Sequence, residues 1–379
     1  MSCPDCERYR AQGRKFCGTC GRDLSLPEGD NCDRCAADRA RGFNYCTSCG
    51  ARLSGNARVT SLICPDCEGF RQDGCRFCGT CGSYLIPDQT RKAKTNDSRL
   101  LVPAVVFTAV LAVIELLFAW RSVPYVLSTD VGTDLLLITP MPRLLVTLTG
   151  AVQSAWYIII CAVLTLCAVI CFKKYVEARG RGIGRLDTSM FAIPAVMGMT
   201  LLLEFLIIIV SIAFGATPST PMDVDKTLIP VAVNASVWEE IITRVLLIGL
   251  PMLVLMLLVN RGDLDLPWYR YLLGGFGYSR IAMLLVIISS VFFGIGHIGW
   301  GIWKVLPMVI AGLAMGYLYM KYGLHASILM HMLTDLSLLP TFYGMEWLSL
   351  MIYGVVVLAL PAFVVYGRRL AQAYRDGDL

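Results

Sequence analysis

Beyond residue 99 the chain becomes a succession of apolar runs, each close to the ~20 residues an α-helix needs to cross the hydrocarbon core of a bilayer. Eight can be read, at about 100–120, 144–172, 190–214, 227–259, 280–299, 304–322, 323–341 and 347–366. Backbone polar groups inside a bilayer must be satisfied within the spanning segment or in a closed barrel, so runs of this length predict helices. The expected fold is an all-α polytopic membrane bundle of about eight spans. Composition agrees: 56% of the 379 residues are hydrophobic, only 16% are charged, and the mean hydropathy is +0.62, which excludes an ordinary soluble protein.

The loops between these runs alternate in charge. One side carries 16 basic residues, among them Lys173, Lys174, Arg179, Arg181, Arg185, Arg261, Arg270, Arg280, Arg368 and Arg369, and the other carries four, Arg121, Arg143, Lys226 and Lys304. Cytoplasmic loops hold the excess of lysine and arginine, so both termini are expected in the cytoplasm.

Residues 1–99 are of a different class, polar and rich in cysteine. Thirteen of the 16 cysteines lie in residues 1–81, and 12 of these form three copies of C-x2-C-x10-C-x2-C: Cys3, Cys6, Cys17 and Cys20; Cys32, Cys35, Cys46 and Cys49; Cys64, Cys67, Cys78 and Cys81. Each copy has an aromatic residue before its third cysteine, a glycine after its fourth and a leucine soon after. Two thiol pairs separated by a hairpin-sized gap present four sulfurs tetrahedrally, which suits structural zinc. The copies resemble zinc-ribbon domains. A disulfide framework is the alternative; no secretory signal precedes the cysteines, and a cytoplasmic head keeps its thiols reduced. Three structural zinc sites are therefore expected, with Cys75 left as a bystander. The expected units are ribbons at 1–27, 28–57 and 58–90, a basic linker at 91–99 and a membrane domain at 100–379.

The head carries 16 Lys+Arg against 12 Asp+Glu over residues 1–99. Twelve thiolates and three zinc ions lower that surplus of four by six, leaving the loaded head near minus two, a poor electrostatic footprint for nucleic acid. A cytoplasmic protein partner is the better expectation for the ribbons.

Charges inside the apolar runs need a reason, since each costs at least ~2.5 kcal/mol at the centre of a span. The fourth run contains "VWEEIITR", with Glu239, Glu240 and Arg244. Glu240 and Arg244 are four apart and can neutralise one another on one helix face. Glu239 is turned about 100° away and has no partner on its own helix, which suits a group that exchanges a proton with substrate. The three histidines all lie in the membrane half. His297 stands in "FFGIGHIGW", where glycines permit close helix approach, while His331 and Asp335, in "ILMHMLTD", share a face of the seventh run. His325 is turned roughly 120° from His331 and falls outside this site.

Together E-E-x-x-x-R at Glu239, Glu240 and Arg244, F-x-x-x-H at Phe293 and His297, and H-x-x-x-D at His331 and Asp335 resemble the CAAX prenyl protease and bacteriocin-processing (CPBP, or Abi) family of intramembrane endopeptidases, over roughly residues 190–345. The resemblance implies that Glu239 and His297 activate a water, that His331 and Asp335 face the substrate carbonyl, and that Glu240 and Arg244 support them. It implies membrane lipid and a peptide or protein substrate as partners. Where the family offers asparagine or aspartate at the last position, this chain has Asp335, which donates a hydrogen bond only when protonated. A catalytic zinc held by the two histidines and carboxylates is thus a close alternative to metal-free activation. Two other classes of function are a catalytically idle scaffold that recruits proteins through its ribbons and a proton-coupled transporter. Glu115 and Glu204 are expected as buried carboxyls bonded within the bundle, the alternative being parts of a water path, and Cys161, Cys167 and Cys171 as small apolar fillers.

Overall fold

The computed structural model describes residues 33–48, 91–129, 132–138, 140–180, 185–216, 227–259 and 266–342, with positions 11, 53, 78, 264, 354, 356–357, 360–366 and 368 besides. The chain divides into two compact units, residues 1–94 with 263–266, and the remainder.

In the smaller unit, helix α1 (Asp33–Ala40) carries Cys35 on its first turns. Cys35 and Cys46 are fully buried and pack together with Leu53 as one small cluster. Asp38, also fully buried, accepts hydrogen bonds from the backbone N–H of Thr47 at 2.8 Å and from its hydroxyl at 2.7 Å, which pins α1 to the turn that follows Cys46. Two cysteines from opposite halves of the second copy thus meet in a closed pocket, as a zinc ribbon requires. Their partners Cys32 and Cys49, the first copy, and all of the third copy except Cys78 lie outside the described residues.

The larger unit is a helical bundle. Its elements are α2 (Arg91–Arg121), α3 (Val123–Ser128), strands β1 (Thr133–Ile138) and β2 (Pro142–Leu148), α4 (Gly150–Gly180), α5 (Ser189–Ala213), α6 (Leu228–Glu240), a π-helical segment (Ile241–Gly249), α7 (Leu250–Val259), α8 (Trp268–Leu273), α9 (Arg280–Gly296), α10 (Ile302–Tyr322) and α11 (Leu324–Phe342). Among the described residues six helices are long and apolar enough to cross a membrane: 99–128, 150–178, 189–213, 228–259, 280–300 and 302–322. The expected seventh run is helix α11, which carries His325, His331 and Asp335. The eighth, 347–366, lies partly outside the described residues; its helical stretch 360–366 buries Ala362 and Val365 against Leu101 and Val105 of α2 and Phe191 and Ala195 of α5.

Three details depart from the sequence reading. The basic stretch 91–99 is helical and continuous with the first apolar run. The segment read as a loop and the start of the second span is an antiparallel hairpin, with Thr133 opposite Leu148 and a bulge between Leu135 and Leu136, so α4 begins only at Gly150. The fourth run is not one α-helix: its middle turns widen into the π segment directly after Glu240.

The core runs between α4, α5, α6, α10 and α11 and includes Ile160, Leu164, Met197, Val233, Val237, Met315, Leu318, Met330 and Leu333. The opposite faces of α2, α4 and α5 leave Val113, Leu117, Leu166, Phe172, Phe205 and Val210 exposed, the pattern of helices whose outer solvent is lipid. Packing of α9 on α10 depends on small residues: a Cβ at Gly316 would lie 2.5 Å from Val286 Cγ1, and one at Gly312 would lie 2.9 Å from the Ser290 Cα.

Candidate active site

Glu239 and Glu240 end α6, and the π segment that follows sets the local geometry. A π turn bonds i to i+5, as between the N–H of Leu250 and the carbonyl of Val245, and frees carbonyls that an α-helix would use. Two hydroxyls compensate. Thr243 donates from its own side chain to the Glu239 carbonyl at 2.6 Å, and Ser289 of α9 donates to the Thr243 carbonyl, also at 2.6 Å. The irregular helix is thereby pinned to its neighbour at the level of the carboxylates.

Glu240 is the anchor of a buried network. Arg244 donates from Nε to Glu240 Oε2 at 3.1 Å and places a second guanidinium nitrogen 3.5 Å from Oε1, while its third lies 3.4 Å from Ser289 Oγ. Both side chains are fully buried. From α11, Ser327 donates its hydroxyl to Glu240 Oε2, and His331 brings Nδ1 to 3.0 Å from Glu240 Oε1. With a carboxylate as its partner Nδ1 carries the proton, which fixes the ring and leaves Nε2 to face the other acids. Nε2 lies 3.3 Å from Asp335 Oδ2 and 3.8 Å from Glu239 Oε2.

Glu239 contrasts with its neighbour. Its side chain is 21% exposed, and its Oε2 is buried without a hydrogen-bond partner among the described residues. It stands within electrostatic reach of His297, His331 and Asp335.

His297 closes the third side. Helix α9 stops at Gly296, a short 3-10 turn covers Ile298–Trp300, and Gly301 takes φ +112°, a conformation open to glycine. The break sets where His297 stands at the end of α9, one turn beyond Phe293. His297 Nδ1 lies 2.8 Å from the Phe293 carbonyl. The Phe293 ring contacts His297 edge-on at 4.7 Å and His331 at 5.8 Å, and has the Arg244 guanidinium 5.8 Å from its centre. Phe293 is therefore the common wall of the site.

Strand β1 lies beside the chain neighbours of both Glu239 and His297. Trp238 Nε1 donates to the Leu136 carbonyl at 2.8 Å, and a Cβ at Gly296 would lie 2.8 Å from Ile138.

All six expected residues meet in one constellation: Glu239, Glu240, Arg244, His297, His331 and Asp335. His325 lies apart, near Lys174. The sequence reading missed Ser327, Ser289, Thr243 and the central place of Phe293. Helical spacing could have flagged three of them, since Ser327 is one turn before His331, and Ser289, Phe293 and His297 recur every four residues along α9. Among the described residues no group of three or more His, Cys, Asp or Glu side chains is arranged to hold a metal ion.

Comparison with known families places these observations. Residues 226–337, which include all six side chains, match the family of type II CAAX prenyl endopeptidases described as Rce1-like. Residues 3–50 match the double zinc ribbon, which covers the first two cysteine copies. Comparison with curated proteins and with solved structures gives no match.

Proposed function

Starting from an Rce1-like region at 226–337 and a double zinc ribbon at 3–50, we propose that the protein is an intramembrane endopeptidase in which Glu239, assisted by His297, activates the hydrolytic water. The family match supports CAAX endopeptidase activity on membrane-associated peptides. The observation that carries the residue assignment is the unpartnered Glu239 Oε2, buried beside His331 while the adjacent Glu240 is fully engaged.

Peptide hydrolysis needs a base for water, a proton for the departing amine and donors for the oxyanion. Glu239 takes a proton from water as the oxygen attacks the carbonyl and returns it to the nitrogen as the C–N bond breaks. His297 orients that water. His331 and Asp335 face the carbonyl oxygen, and Glu240 with Arg244 and Ser327 fixes the His331 ring. We favour metal-free activation, since among the described residues the histidines and acids are not arranged as a group of three or more ligands around one point. The ribbons hold zinc for folding, which supplies most of the stability of units so small; the third copy, with Cys64, Cys67, Cys78 and Cys81, is a third such site. The charge asymmetry of the loops places both termini and the ribbons in the cytoplasm, where the ribbons contact a protein partner.

The test is cleavage of a membrane-anchored peptide by purified protein in lipid bilayers. Glu239→Ala should abolish hydrolysis without loss of the folded bundle, and full activity in that variant would overturn the assignment.

A further inference from the structure

Among the described residues two buried acids stand outside that scheme. Glu115 of α2 is 2% exposed, and neither of its oxygens has a hydrogen-bond partner among the described residues, so the bonding expected for it within the bundle is not found there. The other is Asp38 of α1, in the second cysteine copy, and one of its oxygens is held by two donors.

Helix α1 places Cys35 and Asp38 three residues apart, on one face, and both are fully buried. The helix ends in a glycine turn: the Phe43 N–H donates to the Asp38 carbonyl at 3.0 Å, the Gly42 N–H donates to the Arg39 carbonyl at 3.0 Å, and Gly42 takes φ +77°. That turn sends the chain back to Cys46. There Asp38 Oδ2 accepts from both the N–H and the hydroxyl of Thr47, itself 2% exposed. One carboxylate thus ties the helix that carries one cysteine of the site to the residue that follows another.

The frame recurs in all three copies, but the tie does not. Gly42 has counterparts in Gly13 and Gly74, at the same distance from the flanking cysteines. Asp38 corresponds to Tyr9 and Phe70, and Thr47 to Gly18 and Gly79, so both partners of the tie are peculiar to the second copy. A carboxylate beside four thiolates and one zinc ion, a set already at minus two, is repelled by it. Against that stand two hydrogen bonds to a charged acceptor and Arg34, whose Nε lies 3.8 Å from the other oxygen, Oδ1. The tie also acts before metal arrives. Ligands in so small a unit must be ordered as the ion binds, and a link made by protein alone already holds Cys35 near Cys46. Partners that orient metal ligands from outside typically change affinity 10–100-fold.

On the reading above that the ribbons hold zinc, we propose that Asp38 is a positioning residue for the second zinc site: by fixing Cys46 through Thr47 it makes this ion the most tightly held of the three. Scarce zinc then fills the second copy first, and depletion empties it last.

The test is transfer of zinc from the loaded full chain in bilayers to a chromogenic chelator, followed over time beside elemental analysis. Wild type should release two ions and then a third about 10–100-fold more slowly. Cys35→Ser with Cys46→Ser should lack the slow phase, which identifies it as the second site. Asp38→Ala should still load three ions and lose the slow phase. Thr47→Gly, which restores the residue of the other copies, should do the same and add nothing in the Asp38→Ala background. Asp38→Asn keeps an acceptor for Thr47 and should keep most of the delay. Three ions leaving wild type at one rate, or a slow phase unchanged or lengthened in Asp38→Ala, would overturn the proposal; lengthening would mean that repulsion outweighs the tie. Asp38→Ala that loads only two ions would make Asp38 a folding requirement and overturn it as well. Wild type that binds no zinc would sink the ribbon reading itself, a failure distinct from zinc that binds and leaves evenly.

Discussion

Glu240 holds His331 by Nδ1 at 3.0 Å, across the gap between α6 and α11, while taking Arg244 of its own chain segment on its other oxygen. The two adjacent glutamates thus divide the labour: one is spent on structure, and the other is left with an oxygen that nothing satisfies.

Their stabilities should differ accordingly. Glu240→Gln leaves the Arg244 guanidinium buried with no counter-charge and should cost about 3–5 kcal/mol, the range for breaking a buried pair from one side. Glu239→Gln removes a carboxylate whose Oε2 has no hydrogen bond among the described residues and only a 3.8 Å approach to His331, and it should leave the melting temperature in bilayers little changed, while hydrolysis is lost. Thermal unfolding of the two variants side by side decides it; a larger loss at Glu239 would contradict the division.

Phe293 shapes the site without reacting. Phe293→Leu removes the edge contacts to both histidines and the cation–π contact with Arg244, worth ~0.5–2 kcal/mol by itself. It should lower kcat by about 10–100-fold, a scale typical of slight misplacement of reacting groups, with little change in KM. A variant that loses only substrate affinity would place Phe293 in binding instead.

Close approach of α9 to α10 can be tested at Gly316. Gly316→Leu puts a branched side chain where a single added carbon already meets Val286 at 2.5 Å. The helices must part, carrying His297 away from Glu239, and a loss of about 1–3 kcal/mol in stability is expected together with loss of hydrolysis. Retained activity would show that His297 is positioned by something other than this contact.

Metal content separates the ribbons from the bundle. The full chain should bind three zinc ions, as measured by elemental analysis, and Cys35→Ser with Cys46→Ser should remove one. A chain beginning at residue 91 should bind none and still cleave, whereas about one zinc per chain that disappears with His297→Ala and His331→Ala would establish a metalloprotease.

Much of the site could be read directly from spacing. Glu240 with Arg244, and His331 with Asp335, are each four apart, and a helix puts such pairs on one face whatever surrounds it. That one polar site gathers Glu239, His297, His331 and Asp335 could be argued from their being ionisable residues on three apolar runs, but how close His297 comes to Glu239 depends on how α9 packs against the fourth run and on the helix break after Gly296. The hairpin was lost for another reason: "TDLLLI" and "PRLLVTL" are apolar enough to pass for the approach to a span, and an exposed strand beside lipid does not alternate as a soluble one does. Ser327 and Ser289 looked like ordinary small residues, since their importance lies in partners 87 and 45 positions distant. Glu115 was visible as an oddity, but its burial depends on how the helices of the bundle pack around it.

The widened turns at Ile241–Gly249 also set how the fourth run tolerates changes in length. A π segment absorbs one more residue than the α ladder it interrupts while the helices on either side stay in phase, so deleting one position within it would let the hydrogen bonds close in the regular way and leave α6 and α7 facing as before. What such a deletion would remove is local: the carbonyl that Ser289 reaches at Thr243 would return to the regular ladder, and with it would go a tie between this run and α9 beside the two glutamates.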